Sequence, residues 1–382
     1  MKRIYLDNAA TTPLDPLVLE EMLPLMREQF GNPSSIHGHG RVVRSAIEKA
    51  RKKVAELLNT SPSEIFFTSG GTEADNTIIQ NTVLAKGIKH IITSKIEHHA
   101  VLHTAEDLQK KGLAKVSFVE LDAKGYVDYD HLEALLKENS TSLISLMHGN
   151  NEVGNLLDLD RVGELATAYG ALFHSDTVQT MGHYVHDLQR LKTNFIVGAA
   201  HKFHGPKGVG FMYLQSGTRI PPFIHGGAQE RNMRGGTENV YGIAGLAKAL
   251  ELAYAEMSEH QQHVQGLKSY MIERLKEAIP DVRFNGDPEN AAQSLYTVLN
   301  VSFPPTADSE MLLFNLDIEG ISASGGSACS SGSDVGSHVL TALKADPSRP
   351  SARFSFSKYN TREEIDTVVE KLTVIAGVER VS

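Results

Sequence analysis

Short β-branched runs alternate with amphipathic segments between about residues 45 and 215, and this alternation limits the possible fold more than any other feature. Apolar residues recur at helical spacing in Arg44–Leu58, Asp130–Glu138 and Asp160–Tyr169. The candidate strands are Glu64–Thr68, His90–Ser94, Val116–Leu121, Ser142–His148, Ala171–Ser175, Asn194–Ala200 and Val209–Leu214. Such alternation is typical of a largely parallel sheet with helices on both faces and ligands beyond the carboxyl ends of its strands. The sequence therefore predicts an α/β domain with a mainly parallel, seven-stranded sheet.

The chain length indicates a second domain. A chain of 382 residues is longer than one hydrophobic core usually supports. Gly242–Ala278 contains no proline and is predicted to be helical over most of its length, and we place the domain boundary within it, near residue 255. The remainder combines a strand candidate (TVLNVSF), a Gly/Ser-rich tract over 322–337 and a final helix. We predict a large domain over 15–255 and a smaller α+β domain over 256–382, which residues 1–14 join.

Charge and cysteine content exclude several classes of protein. The formal net charge is -9 and no run of Lys or Arg occurs, so we expect no nucleic-acid surface. The N-terminal sequence MKRIYLDNAATTPLD lacks the apolar stretch of a signal peptide, and no segment is apolar enough to span a bilayer. A single cysteine excludes an intrachain disulfide and suits a reducing compartment. We expect a cytoplasmic protein that does not bind membranes.

Two polar residues follow apolar strands in positions that suit an aldehyde cofactor. Lys202 lies just after a strand in FIVGAAHKFHGPKGVGFMYL, and Asp176 ends the strand ALFHSD. A lysine considered alone is more often a solvated loop residue. Beside a buried carboxylate, however, it is placed to form a Schiff base while the carboxylate keeps a pyridinium ring protonated. In EIFFTSGGTEADN, a strand, a Gly-Gly turn and a helix follow one another, and the free N–H groups at such a helix start suit a phosphate.

A set of motifs resembles a known family along nearly the whole chain. The motifs are YLDNAATTP, FTSGGTEADN, EHHAV, NNEVG, DTVQ, AHKFHGPKG, RGGTEN, GSACSSGS and RFSF, in this order. They resemble the class V aminotransferase-fold proteins, and most of all the cysteine desulfurases of the iron–sulfur assembly type. The resemblance implies the fold type I of pyridoxal-phosphate enzymes, pyridoxal 5'-phosphate as cofactor and L-cysteine as substrate. It also implies a homodimer that passes sulfur to an acceptor protein such as an iron–sulfur scaffold.

The resemblance assigns the groups around the cofactor ring. Lys202 would bind the cofactor covalently, and Asp176 would pair with the pyridine nitrogen. Gln179 and Asn151 would bond the ring oxygen. His98 would stack on the ring face and keep a proton-carrying edge for catalysis.

The resemblance also implies a phosphate site with one departure from the family pattern. Gly71, Thr72 and His201 would bind the phosphate, and Thr237 would reach the phosphate of the neighbouring subunit. The family usually carries a serine three residues before the cofactor lysine, and Ala199 occupies that position. The phosphate therefore loses one hydroxyl donor, or another group replaces it.

The remaining implied roles concern the substrate and its sulfur. Arg353 would clamp the substrate carboxylate bidentately, a task that suits a planar guanidinium, with Asn8 and Asn151 nearby. Cys329 lies among Ser, Ala and Gly, which offer no apolar face in which to bury a thiol. From the sequence alone, a nucleophile and a small buried residue are about equally favoured, and the resemblance implies a nucleophile that accepts sulfur as a persulfide.

A metal site and two other functions are the alternatives. The pair His98–His99, and His201 with His204, lack the spacing of zinc sites, so we predict no metal. Another enzyme of the same fold, such as a selenocysteine lyase or a small-substrate aminotransferase, would release selenide or a keto acid instead of alanine and sulfane sulfur. A non-catalytic scaffold or cofactor carrier would not need the four residues Lys202, Asp176, Arg353 and Cys329 together.

Overall fold

The computed structural model describes residues 3–139, 141–306, 309–325 and 336–377, so that Cys329 lies outside the described residues. The strands are β1 (Ile4–Tyr5), β2 (Ile65–Thr68), β3 (His90–Thr93), β4 (Lys115–Phe118), β5 (Ser142–Ser145), β6 (Leu172–Asp176), β7 (Phe195–Ala199), β8 (Gly210–Leu214), β9 (Arg283–Asn285), β10 (Val298–Ser302), β11 (Ile321–Ser322) and β12 (Ser351–Ser355). The helices are α1 (Pro16–Arg27), α2 (Gly38–Leu57), α3 (Gly71–Lys86), α4 (His99–Lys110), α5 (Tyr129–Glu138), α6 (Leu159–Ala168), α7 (Gln229–Asn232), α8 (Val240–Ala255), α9 (Met257–Ala278), α10 (Leu312–Ile318), α11 (His338–Ala342) and α12 (Arg362–Ile375).

Seven strands form one sheet in the order β2–β8–β7–β6–β5–β3–β4. The strands from β7 to β4 are parallel to their neighbours, whereas β8 is antiparallel to both β2 and β7. Each strand overlaps one of the predicted segments. The predicted α/β fold with a mainly parallel, seven-stranded sheet is therefore confirmed.

Helices cover both faces of this sheet. On one face, α1, α2 and α8 bury an apolar cluster that includes Val54 and Leu246. On the other face, α3 and α4 bury a cluster that includes Ile78. In β2, Phe67 belongs to the first cluster and Phe66 to the second, because successive side chains of a strand point to opposite faces. The uninterrupted apolar runs of these strands follow from burial on both faces.

Short polar side chains begin several helices between the strands. Asp128 and Asp158 cap α5 and α6, since each carboxylate accepts hydrogen bonds from backbone N–H groups in the first turn. Thr361 and Glu364 form a reciprocal capping box at the start of α12. The local sequence thus fixes these helix starts before any tertiary contact does.

A second sheet contains three antiparallel strands in the order β12–β10–β9. α9 and α12 pack against it around Leu299, Phe354 and Val368. β1 pairs in parallel with β11, and Leu6 joins the same apolar cluster. The N-terminal residues therefore pack with the C-terminal part of the chain, while the division into domains near residue 255 stays a prediction. No helix in the described ranges has the length and apolar character needed to cross a bilayer.

The helix expected over Gly242–Ala278 is two helices that meet at Glu256. Glu256 has φ −100° and ψ 3°, and its carboxylate accepts a hydrogen bond from Lys358 Nζ at 2.8 Å. α8 buries its apolar residues in the cluster shared with α1 and α2, whereas α9 buries Val264 and others against the three-stranded sheet. Because the two helices serve different cores, the chain changes direction between them, although neither Gly nor Pro lies at the break.

A buried ion pair joins α2 to the segment that precedes the RGGTEN motif. Arg51 donates two hydrogen bonds to the carboxylate of Glu230, at 2.7 and 2.8 Å. Glu230 also accepts from the backbone N–H of Phe67 at 2.8 Å, and both charged side chains are buried. Glu230, Arg231 and Asn232 have left-handed backbones with φ of 45°, 55° and 65°. That conformation costs free energy in L-residues, and the ion pair holds the turn in place.

Replacing Arg51 by Leu should leave the Glu230 carboxylate buried without its partner. We expect the Arg51→Leu variant to lose about 3–5 kcal/mol of unfolding free energy. The matched control is Lys53→Leu on the same helix, because the Lys53–Glu251 pair, at 3.2 Å, is exposed and should contribute little. Chemical denaturation followed by circular dichroism compares the variants, and equal stability of the two would contradict the role given to Arg51.

Candidate active site

The carboxyl ends of β2, β5, β6 and β7 surround a cavity of about 240 Å³. This is the edge of a parallel sheet where ligands bind. The cavity brings together nine of the residues singled out from the sequence, namely Gly71, Thr72, His98, Asn151, Asp176, Gln179, His201, Lys202 and Arg353.

Lys202 reaches the cavity from a 3-10 turn that directly follows β7. Its Nζ donates hydrogen bonds to the backbone carbonyls of Ala9 and Ala10, at 2.5 and 3.0 Å. Thr12 donates from its hydroxyl to the carbonyl of His201 at 2.9 Å. The N-terminal YLDNAATTP segment therefore lies across the turn that carries Lys202 and lines one wall of the cavity.

Asp176 is the last residue of β6 and is 6% exposed. Burial raises the pKa of its carboxyl, while the hydrogen bond from Val178 N and the charge of Lys202 lower it. A buried carboxylate is stable only when hydrogen-bonded or paired with positive charge. A protonated ring nitrogen in the cavity would supply that charge.

The first turn of α3 forms another wall of the cavity. The residue that precedes it, Gly70, provides no side-chain cap, so the first backbone N–H groups of the helix need other acceptors. A Cβ at Gly71 would lie 2.9 Å from Val178 Cγ2, so only glycine fits there without displacement. The methyl group of Ala199, which replaces the family hydroxyl, is buried in the same wall.

Both histidines of the cavity are neutral at physiological pH. Burial, and then the charge of Lys202, lowers the pKa of His98 and of His201 to about 4. His98 Nδ1 accepts a hydrogen bond from Ala100 N at 3.2 Å, so the proton of its neutral ring is on Nε2. His201 Nδ1 lies 3.2 Å from the hydroxyl of Thr11. His98 thus presents an uncharged ring with one N–H donor.

Arg353 enters the cavity from β12 and is 1% exposed. One terminal nitrogen donates to the carbonyl of Asn151 at 2.9 Å, and the other donates to Asp7 Oδ1 at 2.8 Å. Among the described residues its buried Nε has no hydrogen-bond partner. Gln179 donates from Nε2 to the Ala9 carbonyl of the N-terminal segment at 3.0 Å. The guanidinium is therefore held in position with donor capacity left for a carboxylate.

Two of the predicted residues in the described ranges do not line this cavity, and the position of a third is not described. Asn8 is buried beside it and donates from Nδ2 to the carbonyl of Ser355 at 2.9 Å. Thr237 lines a different cavity, of about 170 Å³, together with Ser69 and Arg234. Cys329 lies outside the described residues. The roles given to these three residues stay predictions.

Two acidic residues of the site were not among the sequence predictions. Asp7 orients Arg353, and Asp75 lines the cavity one helical turn after Gly71. The spacing of four residues in GGTEAD places Asp75 on the same helix face as Gly71 and is a signal from which it could have been predicted. Asp75 is 1% exposed, and burial, then Asp176 and Glu97, hold the pKa of its carboxyl well above the usual range.

One group of side chains in the described ranges has the spacing of metal ligands. Asp75, His98 and Asp176 place ligand atoms within 4.8 Å of one another. These atoms lie in the cavity where the sequence resemblance puts the cofactor ring. The arrangement thus does not require a metal to explain it.

Comparisons with known proteins agree with this geometry. A family described as aminotransferase class-V matches residues 4–368. The chain belongs to this family. A cysteine desulfurase IscS from Dictyoglomus turgidum is 44% identical and aligns over 98% of this chain and 97% of its own length. Among solved structures, a NifS-like protein has a TM-score of 0.90 at 40% identity and covers 99% of this chain and all of its own (100%). A second structure, described as SspA in complex with cysteine, has a TM-score of 0.81 at 30% identity over 94% of this chain and 100% of its own.

Membership of the class-V aminotransferase family implies pyridoxal phosphate as cofactor, and the residues present fit that group. The uncapped start of α3 with Gly71 suits the phosphate. Lys202 offers an amine that could bind an aldehyde, Asp176 offers a buried carboxylate that suits a ring nitrogen, and His98 lines the same cavity.

Replacing Asp75 by Asn should stabilise the cofactor-free protein at alkaline pH. The carboxyl of Asp75 ionises near pH 3.9 in the unfolded chain, and its pKa is raised in the folded protein. The stabilisation that the protonated Asp75 carboxyl gives the folded protein is therefore complete below the pKa of the unfolded chain. It is lost as the pH rises through the pKa of the folded protein. We expect the thermal midpoint of Asp75→Asn to exceed that of the parent at pH 8, with the difference shrinking towards pH 5.

The control for this measurement is Asp107→Asn. Asp107 is exposed on α4 and pairs with Lys111 at 2.6 Å, so its variant should show no gain at pH 8. If Asp75→Asn matched the parent at pH 8, the fold would not raise the pKa of the Asp75 carboxyl.

Proposed function

We propose that this protein is a pyridoxal-phosphate-dependent cysteine desulfurase that removes sulfur from L-cysteine and releases L-alanine. The observation that carries the proposal is the convergence of Lys202, Asp176 and Arg353 on one cavity. These side chains supply a cofactor amine, a ring counter-ion and a carboxylate clamp. The relatives named cysteine desulfurase align over nearly the whole chain, and a related structure is described as a complex with cysteine.

The cofactor would be held at both ends. The start of α3 at Gly71 and Thr72, with His201, would hold the phosphate, while Asp176 would pair with the ring nitrogen and Lys202 would bind the aldehyde carbon. Gln179 and Asn151 would bond the ring oxygen. When bound, pyridoxal phosphate supplies an electron sink that makes the substrate α-proton labile.

Arg353 and Lys202 would each act on a different part of the substrate. Arg353, oriented by Asp7, would bind the substrate carboxylate and so place the α-carbon beside Lys202. The Nζ of Lys202 would take up and return the α-proton of the substrate. The Nε2–H of His98 would provide a donor at the ring face. Holding these groups together lowers the entropic part of the barrier.

Cys329 would be the nucleophile. It is the only cysteine of the chain, so no other thiol of the protein competes for the sulfur. Its thiolate would attack the substrate sulfur, and the bond between that sulfur and the β-carbon would break. The sulfur would remain on Cys329 as a persulfide, and the three-carbon product would leave as alanine after protonation. The persulfide would pass to an acceptor protein such as an iron–sulfur scaffold.

A homodimer would complete the site. Thr237 lies in the second cavity beside Ser69, and we propose that it reaches the phosphate bound by the neighbouring subunit. The turn at Glu230 that precedes it is fixed by the buried contact to Arg51, so the Thr237 segment is held for a contact across an interface. We also propose a cytoplasmic location, where reducing conditions would keep Cys329 as a thiol.

Borohydride reduction of the yellow protein should attach the cofactor to Lys202 and not to Lys207. Lys202 Nζ lies in the cavity, whereas Lys207 is exposed in the Gly-Pro turn. Peptide mapping by mass spectrometry identifies the modified residue, and the Lys207→Ala variant is the matched control, which should keep the cofactor absorption. A label on Lys207 would contradict the assignment of the site.

The Cys329→Ala variant should separate cofactor binding from sulfur transfer. We expect it to keep the absorption spectrum of the bound cofactor and the spectral change on addition of L-cysteine, because neither requires the thiol. It should lose nearly all alanine release and all persulfide, since no second cysteine is present. Alanine is quantified by chromatography and sulfane sulfur by cyanolysis. Alanine and persulfide formed at the parental rate would refute the mechanism, and selenide or keto-acid chemistry in place of alanine would refute the function.

A further inference from the structure

The short helix α11 docks between two loops of the cofactor cavity. Val339 on this helix is fully buried and packs with Ile96 and Val153. Ile96 belongs to the loop that leads to His98, and Val153 belongs to the loop that carries Asn151. α11 is the first described helix after the segment that contains Cys329. The contacts of this helix therefore concern both the cofactor site and the residues that precede it.

Two hydrogen-bonding residues at the start of α11 bind these loops. The Ser337 hydroxyl donates to Glu152 Oε2 at 2.5 Å and also accepts from Leu340 N at 3.0 Å, which caps the helix. Glu152 is fully buried. His338 Nε2 lies 2.9 Å from the carbonyl of Glu97, and His338 Nδ1 lies 3.0 Å from His99 Nε2. We call the pair Ser337 and His338 the α11 anchor.

The acceptor chemistry fixes the proton positions in the anchor. The Glu97 carbonyl can only accept, so His338 Nε2 must carry the hydrogen. In the neutral ring His338 Nδ1 is then an acceptor, and the hydrogen between the two histidines belongs to His99 Nε2. Each contact of the anchor is thus a directed bond with one donor and one acceptor, and a side chain without a ring nitrogen cannot replace His338.

The partners of the anchor adjoin residues of the cofactor site. Glu97 and His99 flank His98, and Glu152 directly follows Asn151. The Glu97 side chain accepts from Met147 N, at 2.9 Å through Oε2, and Met147 lines the cavity. The loops that line the cavity therefore determine where the anchor lies.

We propose that Ser337 and His338 are positioning residues for sulfur transfer, and this inference rests on the proposed function. The anchor fixes the chain downstream of Cys329 to the loops of His98 and Asn151. Upstream, Ser324 exchanges two backbone hydrogen bonds with Arg353. Both ends of the segment that bears the thiol are thus tied to residues at the substrate site.

A reactive group that is held in a fixed place and orientation reacts faster than one that must find that geometry by chance. The anchor bonds hold the start of α11 against the loops of His98 and Asn151. Removing them should therefore slow the step that depends on the position of the thiol, without changing the groups that bind the cofactor.

The test measures sulfur transfer and cofactor binding separately in the full-length enzyme loaded with cofactor. The variants are Ser337→Ala, His338→Leu and their combination, with Ser337→Thr as the conservative replacement that keeps the hydroxyl. The matched control is Thr341→Val, because Thr341 is an exposed α11 residue whose hydroxyl donates, among the described residues, only to the Ser337 carbonyl. The readouts are the cofactor dissociation constant, the spectral titration with L-alanine, the rate of alanine formation from L-cysteine, and the rate of Cys329 alkylation by iodoacetamide.

We expect kcat for alanine formation to fall about threefold to tenfold in the combined variant. The cofactor dissociation constant and the L-alanine titration should stay within about twofold of the parent, since the cavity residues are unchanged. Alkylation of Cys329 should be no slower than in the parent, which would show that the thiol is intact. Ser337→Thr and Thr341→Val should retain the parental rate.

Three results would overturn the inference. A parental kcat in the combined variant would show that the anchor does not position the thiol. An equal loss of cofactor affinity would show that the anchor only supports the cofactor cavity, and an equal loss in Thr341→Val would show a general effect of helix stability. A parent enzyme that forms no alanine from cysteine would refute the proposed function itself, and the inference with it.

Discussion

The buried guanidinium of Arg353 is the constraint on which the arrangement of the site depends. A fully buried cation is tolerated only when its charge is balanced and its donors are satisfied. Asp7 of the N-terminal segment balances the charge of Arg353, and the carbonyl of Asn151 in the loop after β5 accepts from its other terminal nitrogen. The buried Nε is the donor left without a partner among the described residues. Its own backbone lies in β12 and pairs with Ser324. One residue thus brings together the N-terminus, the large sheet and the three-stranded sheet.

The charge balance of the cavity follows from which groups the fold keeps neutral. Burial lowers the pKa of His98 and His201 to about 4, so neither adds a positive charge at pH 7. Lys202 and Arg353 are the cationic side chains that line the cavity in the part of the chain that the structure describes. Burial raises the pKa of Asp75, with Asp176 as the next cause, and two carboxylates so close do not both ionise readily. Under the proposed function, the two cations would balance a phosphate and a substrate carboxylate, and Asp176 would pair with the ring nitrogen.

Structural features that depend on the local sequence pattern could be predicted from the sequence. Features that depend on contacts between distant parts of the chain could not. The seven strands of the large sheet were predictable because they are buried on both faces and form continuous apolar runs between helices. Lys202 and Asp176 were predictable because each directly follows or ends such a run. The break between α8 and α9 at Glu256 was not predictable from the sequence, because the two helices pack into separate cores and no helix-breaking residue lies between them. Asp7 escaped prediction because its partner Arg353 is 346 positions away.

Three consecutive residues show why such contacts are hard to infer from a pattern. Glu97, His98 and His99 stand together in the EHHAV motif, yet each serves a different neighbour. The buried carboxyl of Glu97, whose pKa burial raises to about 8, accepts from the loop after β5 through Met147 N. His98 caps α4 and faces the cavity, while His99 binds His338 of α11. These three adjacent residues contact the loop after β5, the cavity and α11, and only the tertiary structure shows which residue makes which contact.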